Sequence, residues 1–133
     1  MYEKSKPSCD NQLDLDYNFV PKSDDLNSIE KIMEEKKSRL CFSADIYDTE
    51  RLLTMLDKIG QYIVICKIHY DCYKCDEDIK RTLIDLSVKH NFLLMEDRKF
   101  VDISFIVQRQ YRQFSSWIDL VTVMGNVNST VLS

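Results

Sequence analysis

Residues 92–103 read FLLMEDRKFVDI, an apolar run that turns into alternating charges. The apolar residues predict a short buried strand, because such a run suits a strand that is covered on both faces. Asp97 and Lys99 stand two residues apart at its end, and Asp102 follows three residues later. A spacing of two places side chains on one face of a strand. The segment therefore predicts a strand that carries charged groups to its C-terminal end.

Two earlier segments show the same pattern of an apolar run that ends in polar or charged residues. Residues 39–46 (RLCFSADI) and 62–71 (YIVICKIHYD) are apolar runs in which polar side chains recur at every second position: Ser43, Asp45, Lys67, His69 and Asp71. In a parallel sheet the C-terminal ends of neighbouring strands share one edge, where sites are built. We therefore expect these side chains to converge. A purely structural ion-pair network is the alternative, but desolvated lysine and aspartate are costly unless fully paired, which favours a functional role.

Helical periodicity separates the apolar runs. Helices are expected to begin at Asp24 or Asp25 and near Asp48, Asp78 and Asp102, and residues 117–123 (WIDLVTV) predict a fourth strand. We expect Asp48 to cap its helix and Gly60 to end it. Alternation of strands and helices indicates an α/β fold with four parallel strands in sequential order and helices on one side.

Composition narrows the class of protein. The net charge of −4 and pI near 5.2 argue against nucleic acid or a membrane surface as a partner. No apolar run approaches the roughly 20 residues that span a bilayer. Residues 1–24 are polar and predict a flexible N-terminal arm rather than a secretory signal. Residues 125–133 predict a polar tail, and a cytoplasmic location is expected.

The cysteines raise the alternative of a zinc site. Their number, five, does not suggest a disulfide framework. Cys72 and Cys75 form a C-x-x-C motif with Cys66 and His69 upstream, four residues that could ligate zinc. However, Cys66 and His69 have opposite parity on one predicted strand and should point to opposite faces. Reduced cysteines without a metal are therefore favoured.

Residues 95–103 (MEDRKFVDI) resemble the D-x-K-x-x-D signature of orotidine 5′-monophosphate decarboxylases, closest to the eukaryotic type. Four more segments resemble the family in order: 40–45, 66–71, 89–94 and 117–121. The resemblance implies a (β/α)8 barrel that works as a dimer without a metal or an organic cofactor. Residues 25–124 would then form a partial (half) TIM-type barrel, preceded by the arm and a helix.

The resemblance also implies roles for seven residues. Lys67, Asp97, Lys99 and Asp102 match the catalytic tetrad of the family. Asp97 would lie beside the substrate carboxylate, Lys99 would protonate C6 of the pyrimidine, and Lys67 would hold Asp97 and a ribose hydroxyl. Asp102 would reach the site of a partner subunit. Three further positions match residues that line the substrate site: Ser43, Asp45, which would accept from a ribose hydroxyl, and His69.

Departures from the family pattern point to an alternative function. Ser104, Phe105 and Ile106 replace a Gly, an Asn and a Thr of the family, and residues 122–124 (TVM) replace N-A-H. A complete barrel takes about 250 residues, so strands five to eight and their phosphate and pyrimidine contacts are not expected here. We therefore expect slow turnover, if any, and self-association or pairing with a complete family subunit. The alternative is a weak or inactive binding or subunit-pairing module.

Overall fold

The computed structural model describes residues 27–72 and 77–125. Within these ranges, four helices and four strands alternate: α1 (Asn27–Lys36), β1 (Leu40–Ser43), α2 (Thr49–Ile59), β2 (Ile63–Ile68), α3 (Glu77–His90), β3 (Leu93–Phe100), α4 (Ser104–Tyr111) and β4 (Leu120–Val123). Two short 3-10 turns, Gly60–Tyr62 and Tyr70–Cys72, flank β2. The predicted arm, the predicted tail beyond Gly125 and Cys75 lie outside the described residues.

The four strands form one parallel sheet in the order β1-β2-β3-β4. This confirms the predicted α/β fold and the sequential strand order of a partial TIM-type barrel. Ser43 pairs with Lys67, Lys67 with Met95, and Met95 with Leu120. Paired residues of parallel strands point to the same face, so this row crosses the sheet on one face, near the C-terminal ends of β1 and β2.

The other face of the sheet carries the main hydrophobic core. Its buried side chains come from α2, α3, α4 and the alternate positions of the strands, among them Leu52, Leu56, Leu83, Val107, Cys66, Ile68 and Leu94. Burial of this apolar area supplies about 25 cal/mol per Å2 towards folding. The prediction of helices on one side therefore holds for α2, α3 and α4. In the described residues, no helix is long and apolar enough to span a membrane.

Helix α1 is the exception to that prediction. Its Ile32 is buried with Val64 and Leu93 in a separate cluster. Leu93 shares the face that carries the strand-end charges, so α1 packs on the side opposite the other helices. The ammonium of Lys36 donates to the Gly60 carbonyl at 2.9 Å and to the Ile63 carbonyl at 2.6 Å. These bonds fix the end of α1 to the start of β2.

Helix α2 begins at the predicted cap, Asp48, and ends at Gly60 for a reason that differs from the predicted one. Asp48 caps the helix, since its Oδ1 accepts from the Arg51 N–H at 3.0 Å. Gly60 has φ −52° and continues into a 3-10 turn rather than a left-handed cap. A Cβ at Gly60 would lie 2.7 Å from the His90 ring. Glycine is therefore required here by the close approach of α3.

Strand β2 is shorter than predicted, because the chain turns at its end. The Cys72 N–H donates to the His69 carbonyl at 2.9 Å and closes the turn. The strand therefore ends at Ile68, and the alternation that was expected to align His69 and Asp71 with Lys67 stops one residue after Lys67. Spacing in the sequence could not reveal this, because residues 62–71 contain no glycine or proline to mark a turn.

Candidate functional site

The carboxylate of Asp97 lies between two ammonium groups at the C-terminal edge of the sheet. Lys67 Nζ, from β2, is 2.8 Å from Asp97 Oδ2, and Lys99 Nζ, from β3 itself, is 2.8 Å from Asp97 Oδ1. The side chain of Asp97 is 10% exposed. Each carboxylate oxygen thus has its own charged partner, and charge-assisted contacts of this kind are the stronger class of hydrogen bond. The structure brings together these three of the predicted site residues.

A bulge in β3 makes this contact possible. Glu96 pairs with Val121 and Phe100 pairs with Val123 on β4, so four steps along β3 match two along β4. The extra residues leave the ladder, and Lys99 takes a left-handed conformation with φ 56°. Cβ sterics make this conformation uncommon outside glycine and asparagine. Bulges next to sites re-aim side chains, and this one turns the lysine back towards Asp97.

Thr122 is the site residue that the sequence analysis missed. Its hydroxyl donates to Asp97 Oδ1 at 3.0 Å and accepts from the Lys99 N–H at 2.9 Å. In the sequence, Thr122 stands out only as a departure from the family pattern. A signal was present, since Thr122 lies two residues after Leu120, which shares a face with the strand-end charges.

The cluster shifts the protonation equilibria of its members. The hydrogen bonds from Lys67 and Lys99 hold the pKa of Asp97 well below its usual range. The hydrogen bond to Asp97, aided by the charge of Asp45, raises the pKa of Lys67. Because the folded pKa of Asp97 is depressed, its contribution to stability is present above the unfolded value of about 3.9 and is lost as the pH falls further.

The remaining predicted residues take separate positions. Ser43 ends β1 in register with Lys67, and Asp45 follows it as an exposed carboxylate. Asp102 is exposed, and its Oδ1 accepts from the Ile103 N–H at 2.7 Å. Within residues 27–72 and 77–125, the carboxylate of Asp102 forms no ion pair with Lys67 or Lys99, both of which pair with Asp97. The structure therefore brings Ser43 to the edge and leaves Asp102 exposed, outside the Lys67–Asp97–Lys99 ion pairs.

His69 lies with a different carboxylate. Its Nδ1 is 3.8 Å from Glu96 Oε1, and Glu96 Oε2 accepts from the Tyr70 N–H at 3.0 Å. Glu96 pairs with Ile68 and so points to the helix-covered face. The shared face that we predicted for His69 and Lys67 is therefore wrong, because the strand ends before His69.

Glu96 is a second ionisable group with an unusual environment. Its side chain is 1% exposed, and burial raises its pKa from 4.5 to about 7. The folded chain thus holds a proton that the unfolded chain releases near pH 4.5. Stability contributed by this residue falls as the pH rises through that interval, and the penalty is complete above the folded pKa.

We expect the Glu96→Gln variant to be more stable than the unmodified chain at pH 8, by up to about 3 kcal/mol. The amide cannot ionise, and its oxygen can still accept from the Tyr70 N–H. At pH 4 the difference should be small, because Glu96 is then protonated in both states. Urea unfolding at the two pH values measures this. Parallel pH dependence of the two chains would contradict it.

Among the cysteines that the structure describes, Cys66 is a poor metal ligand. Cys66 is fully buried, and burial raises the pKa of its thiol to about 12. Zinc binds the thiolate, so this environment opposes ligation. In residues 27–72 and 77–125, no three His, Cys, Asp or Glu side chains group closely enough to hold a metal ion.

A parallel sheet in sequential strand order with a Lys–Asp–Lys cluster at its C-terminal edge defines an α/β protein, with the charges where parallel α/β folds place their sites. The sequence matches the family described as "Orotidine 5'-phosphate decarboxylase / HUMPS family" over residues 38–133. This match covers more than half of the chain. The chain therefore belongs to that family.

Individual relatives from yeasts agree with this assignment. The chain is 42% identical over 109 residues to the "Orotidine 5'-phosphate decarboxylase" of Pichia kudriavzevii. The aligned region covers 77% of this chain and 41% of the relative. The chain is 39% identical over 108 residues to the protein of the same name from Komagataella pastoris, covering 76% and 41%. For the Candida parapsilosis protein the identity is 41% over 101 residues, covering 71% and 37%. The chain thus spans about two fifths of the length of these relatives.

Proposed function

We propose that this chain carries the reaction-centre charges for the decarboxylation of orotidine 5′-monophosphate to uridine 5′-monophosphate in pyrimidine biosynthesis. The observation that carries the proposal is the Asp97 carboxylate held between two ammonium groups at 2.8 Å each. The names of the relatives support the choice of substrate. A cytoplasmic location is part of the same proposal.

Decarboxylation requires a proton that can be transferred to C6, and the proposal adds a fixed negative charge beside the substrate carboxylate. The bond between C6 and the substrate carboxylate breaks, its electron pair stays on C6, and CO2 leaves. An ammonium that is already in place stabilises the developing carbanion without reorganisation. In the proposal Lys99 Nζ gives its proton to C6 and regains one from water. No metal or organic cofactor takes part.

Asp97 acts on the substrate through its charge. A carboxylate beside the substrate carboxylate raises the energy of the ground state more than that of the transition state, from which the negative charge has moved away. The depressed pKa of Asp97 keeps it ionised for this purpose. Lys67 holds Asp97 from the other side and, in the proposal, also binds a ribose hydroxyl.

The other implied residues complete the substrate site in this proposal. Asp45, exposed beside Ser43, would accept from a ribose hydroxyl, and His69 would line the same edge. Asp102, which is exposed, would reach the site of a second subunit. The exposed position of Asp102 supports that role, because a side chain that serves a partner must leave its own subunit.

The unmodified chain should convert orotidine 5′-monophosphate to uridine 5′-monophosphate faster than the buffer blank, below the usual enzyme range of roughly 1 to 10³ per second. The reason for a low rate is that the Lys99 side chain is 53% exposed, and water weakens electrostatic stabilisation. Chromatography of both nucleotides after incubation measures this conversion. Formation of the product at the blank rate would refute the proposed activity.

An apolar patch favours a second candidate function, subunit pairing. The patch consists of four exposed apolar side chains near Asp102: Val101, Ile103 and Phe105, its neighbours in the sequence, and Met124, whose N–H donates to the Phe100 carbonyl at 3.0 Å. Phe105 is 67% and Ile103 is 70% exposed. Exposed apolar side chains that are grouped in this way favour interaction with a partner, and burial of their surface favours association by about 25 cal/mol per Å2 before costs. We propose that the patch pairs with a second copy or with a complete family subunit.

We expect the unmodified chain to sediment as a dimer at micromolar concentration and the Phe105→Glu variant to sediment as a monomer. The new carboxylate would place an unpaired charge in the contact. Tyr62→Glu is the matched control, because Tyr62 is 58% exposed at the opposite end of the sheet. Subunit pairing would be contradicted if the unmodified chain sediments as a monomer and does not bind a complete family subunit.

A further inference from the structure

We propose that Thr122 is a positioning residue of the site, whose one hydroxyl holds Lys99 in its left-handed backbone conformation and ties it to Asp97. The inference deepens the proposed function and rests on it for the reaction that the cluster serves. Thr122 contacts Asp97 and Lys99 directly and is assigned no contact with the reacting atoms.

The direction of each hydrogen bond follows from the number of protons available. The Lys99 N–H can only donate, so the Thr122 oxygen accepts at 2.9 Å. The hydroxyl has one proton, and the ionised Asp97 can only accept, so that proton goes to Asp97 Oδ1 at 3.0 Å. The result is a chain from peptide N–H to hydroxyl to carboxylate, in which each bond polarises the next.

The bulge explains why Lys99 needs such a partner. Between Glu96 and Phe100 the pairing with β4 is interrupted, and the Lys99 N–H donates to Thr122 instead of to a carbonyl of the ladder. The residue also adopts φ 56°, which side chains with a Cβ disfavour. A conformation of this kind persists only when its surroundings hold it. Thr122 supplies the bond on the backbone side, and Asp97 supplies the one on the ammonium side.

The same strand contains a reference amide. The Leu94 N–H donates to Asp119 Oδ2 at 2.8 Å, so it also depends on a side chain of the β4 segment but lies at the other end of β3. A local role for Thr122 would affect the amide of Lys99 alone. A general role in holding β4 against β3 would affect both amides.

Amide hydrogen exchange, measured by NMR on the full chain, tests the inference. In Thr122→Val, which keeps the β-branched shape and removes the hydroxyl, the Lys99 amide should exchange about tenfold faster, and Leu94 should keep its rate. Thr122→Ser keeps the hydroxyl and should restore the Lys99 rate. Thr122→Ala removes the hydroxyl without adding a methyl group and replaces the valine variant if that one does not fold.

Several outcomes would overturn the inference. An unchanged Lys99 rate without the hydroxyl, equal acceleration of Lys99 and Leu94, or failure of serine to restore the rate would each do so. Conversion of orotidine 5′-monophosphate, followed in the same samples, is read separately. If the unmodified chain forms no product, the proposed activity fails, whereas the exchange rates still decide the role of Thr122.

Discussion

The Lys99→Ala variant should form uridine 5′-monophosphate about 10² to 10³-fold more slowly than the unmodified chain. Removal of one preorganised group that stabilises a developing charge has an effect of this size. Here the same group is also the proposed proton donor to C6, so no other ammonium replaces it at once. Lys67 remains, but its Nζ is bound to the opposite oxygen of Asp97. Initial rates at saturating substrate measure the loss.

Lys37→Ala is the matched control for this variant. Lys37 also has a positive φ, 51° compared with 56° for Lys99, so both substitutions remove a lysine from a left-handed position. It follows α1 at the N-terminal side of the sheet, away from the cluster. Its rate should equal that of the unmodified chain. If the two variants lose activity equally, the loss comes from the backbone or from net charge, and the proposed role of Lys99 is wrong.

The Trp117→Ala variant should lose about 3 to 5 kcal/mol of unfolding free energy, the usual cost of removing a large aromatic side chain from a core. Trp117 is 1% exposed, its ring lies 6.3 Å from that of Phe114 and 6.1 Å from that of Tyr70, and its Nε1–H donates to the Gln113 carbonyl at 3.0 Å. The loss is a large part of the roughly 5 to 15 kcal/mol that stabilises an ordinary domain. Urea unfolding at pH 7 measures it.

Removal of Trp117 should also loosen the candidate site, because Tyr70 connects the two. The Tyr70 ring packs on Trp117, and the Tyr70 N–H holds Glu96, the residue before Asp97. Tyr47→Ala is the control, since Tyr47 is 81% exposed and its removal should change stability by about 0.5 kcal/mol or less. Equal losses of unfolding free energy in the two variants would show that Trp117 and the rings around it do not belong to the core of the fold.

The sequence predicted the fold well where apolar runs and charges alternate without interruption. In residues 92–97 the run is long enough to identify a buried strand, and the two-residue spacing within the strands predicted that Asp97 and Lys67 converge at one edge. Asp48 was recognisable as a cap because its side chain acts on its own neighbours. These features are local, so the order of residues along the chain determines them.

Features that depend on contacts between distant segments could not be predicted in this way. The bulge that turns Lys99 depends on pairing between β3 and β4, and the Thr122 contact depends on the bulge. Burial of Glu96 depends on helices that cover it, and the sequence shows only one more acid in a charged stretch. Helix α1 has an ordinary amphipathic pattern, which does not specify the face of the sheet that it covers.

Everything proposed for this edge of the sheet depends on Asp97 staying ionised between two ammonium groups. A titration of the Asp97 carboxyl carbon by ¹³C NMR, from pH 7 downward on the folded chain, tests this most directly. The contacts from Lys67 and Lys99 predict a midpoint well below the ordinary value of about 3.9. A midpoint at or above that ordinary value would contradict the clustered arrangement and the site that is built on it.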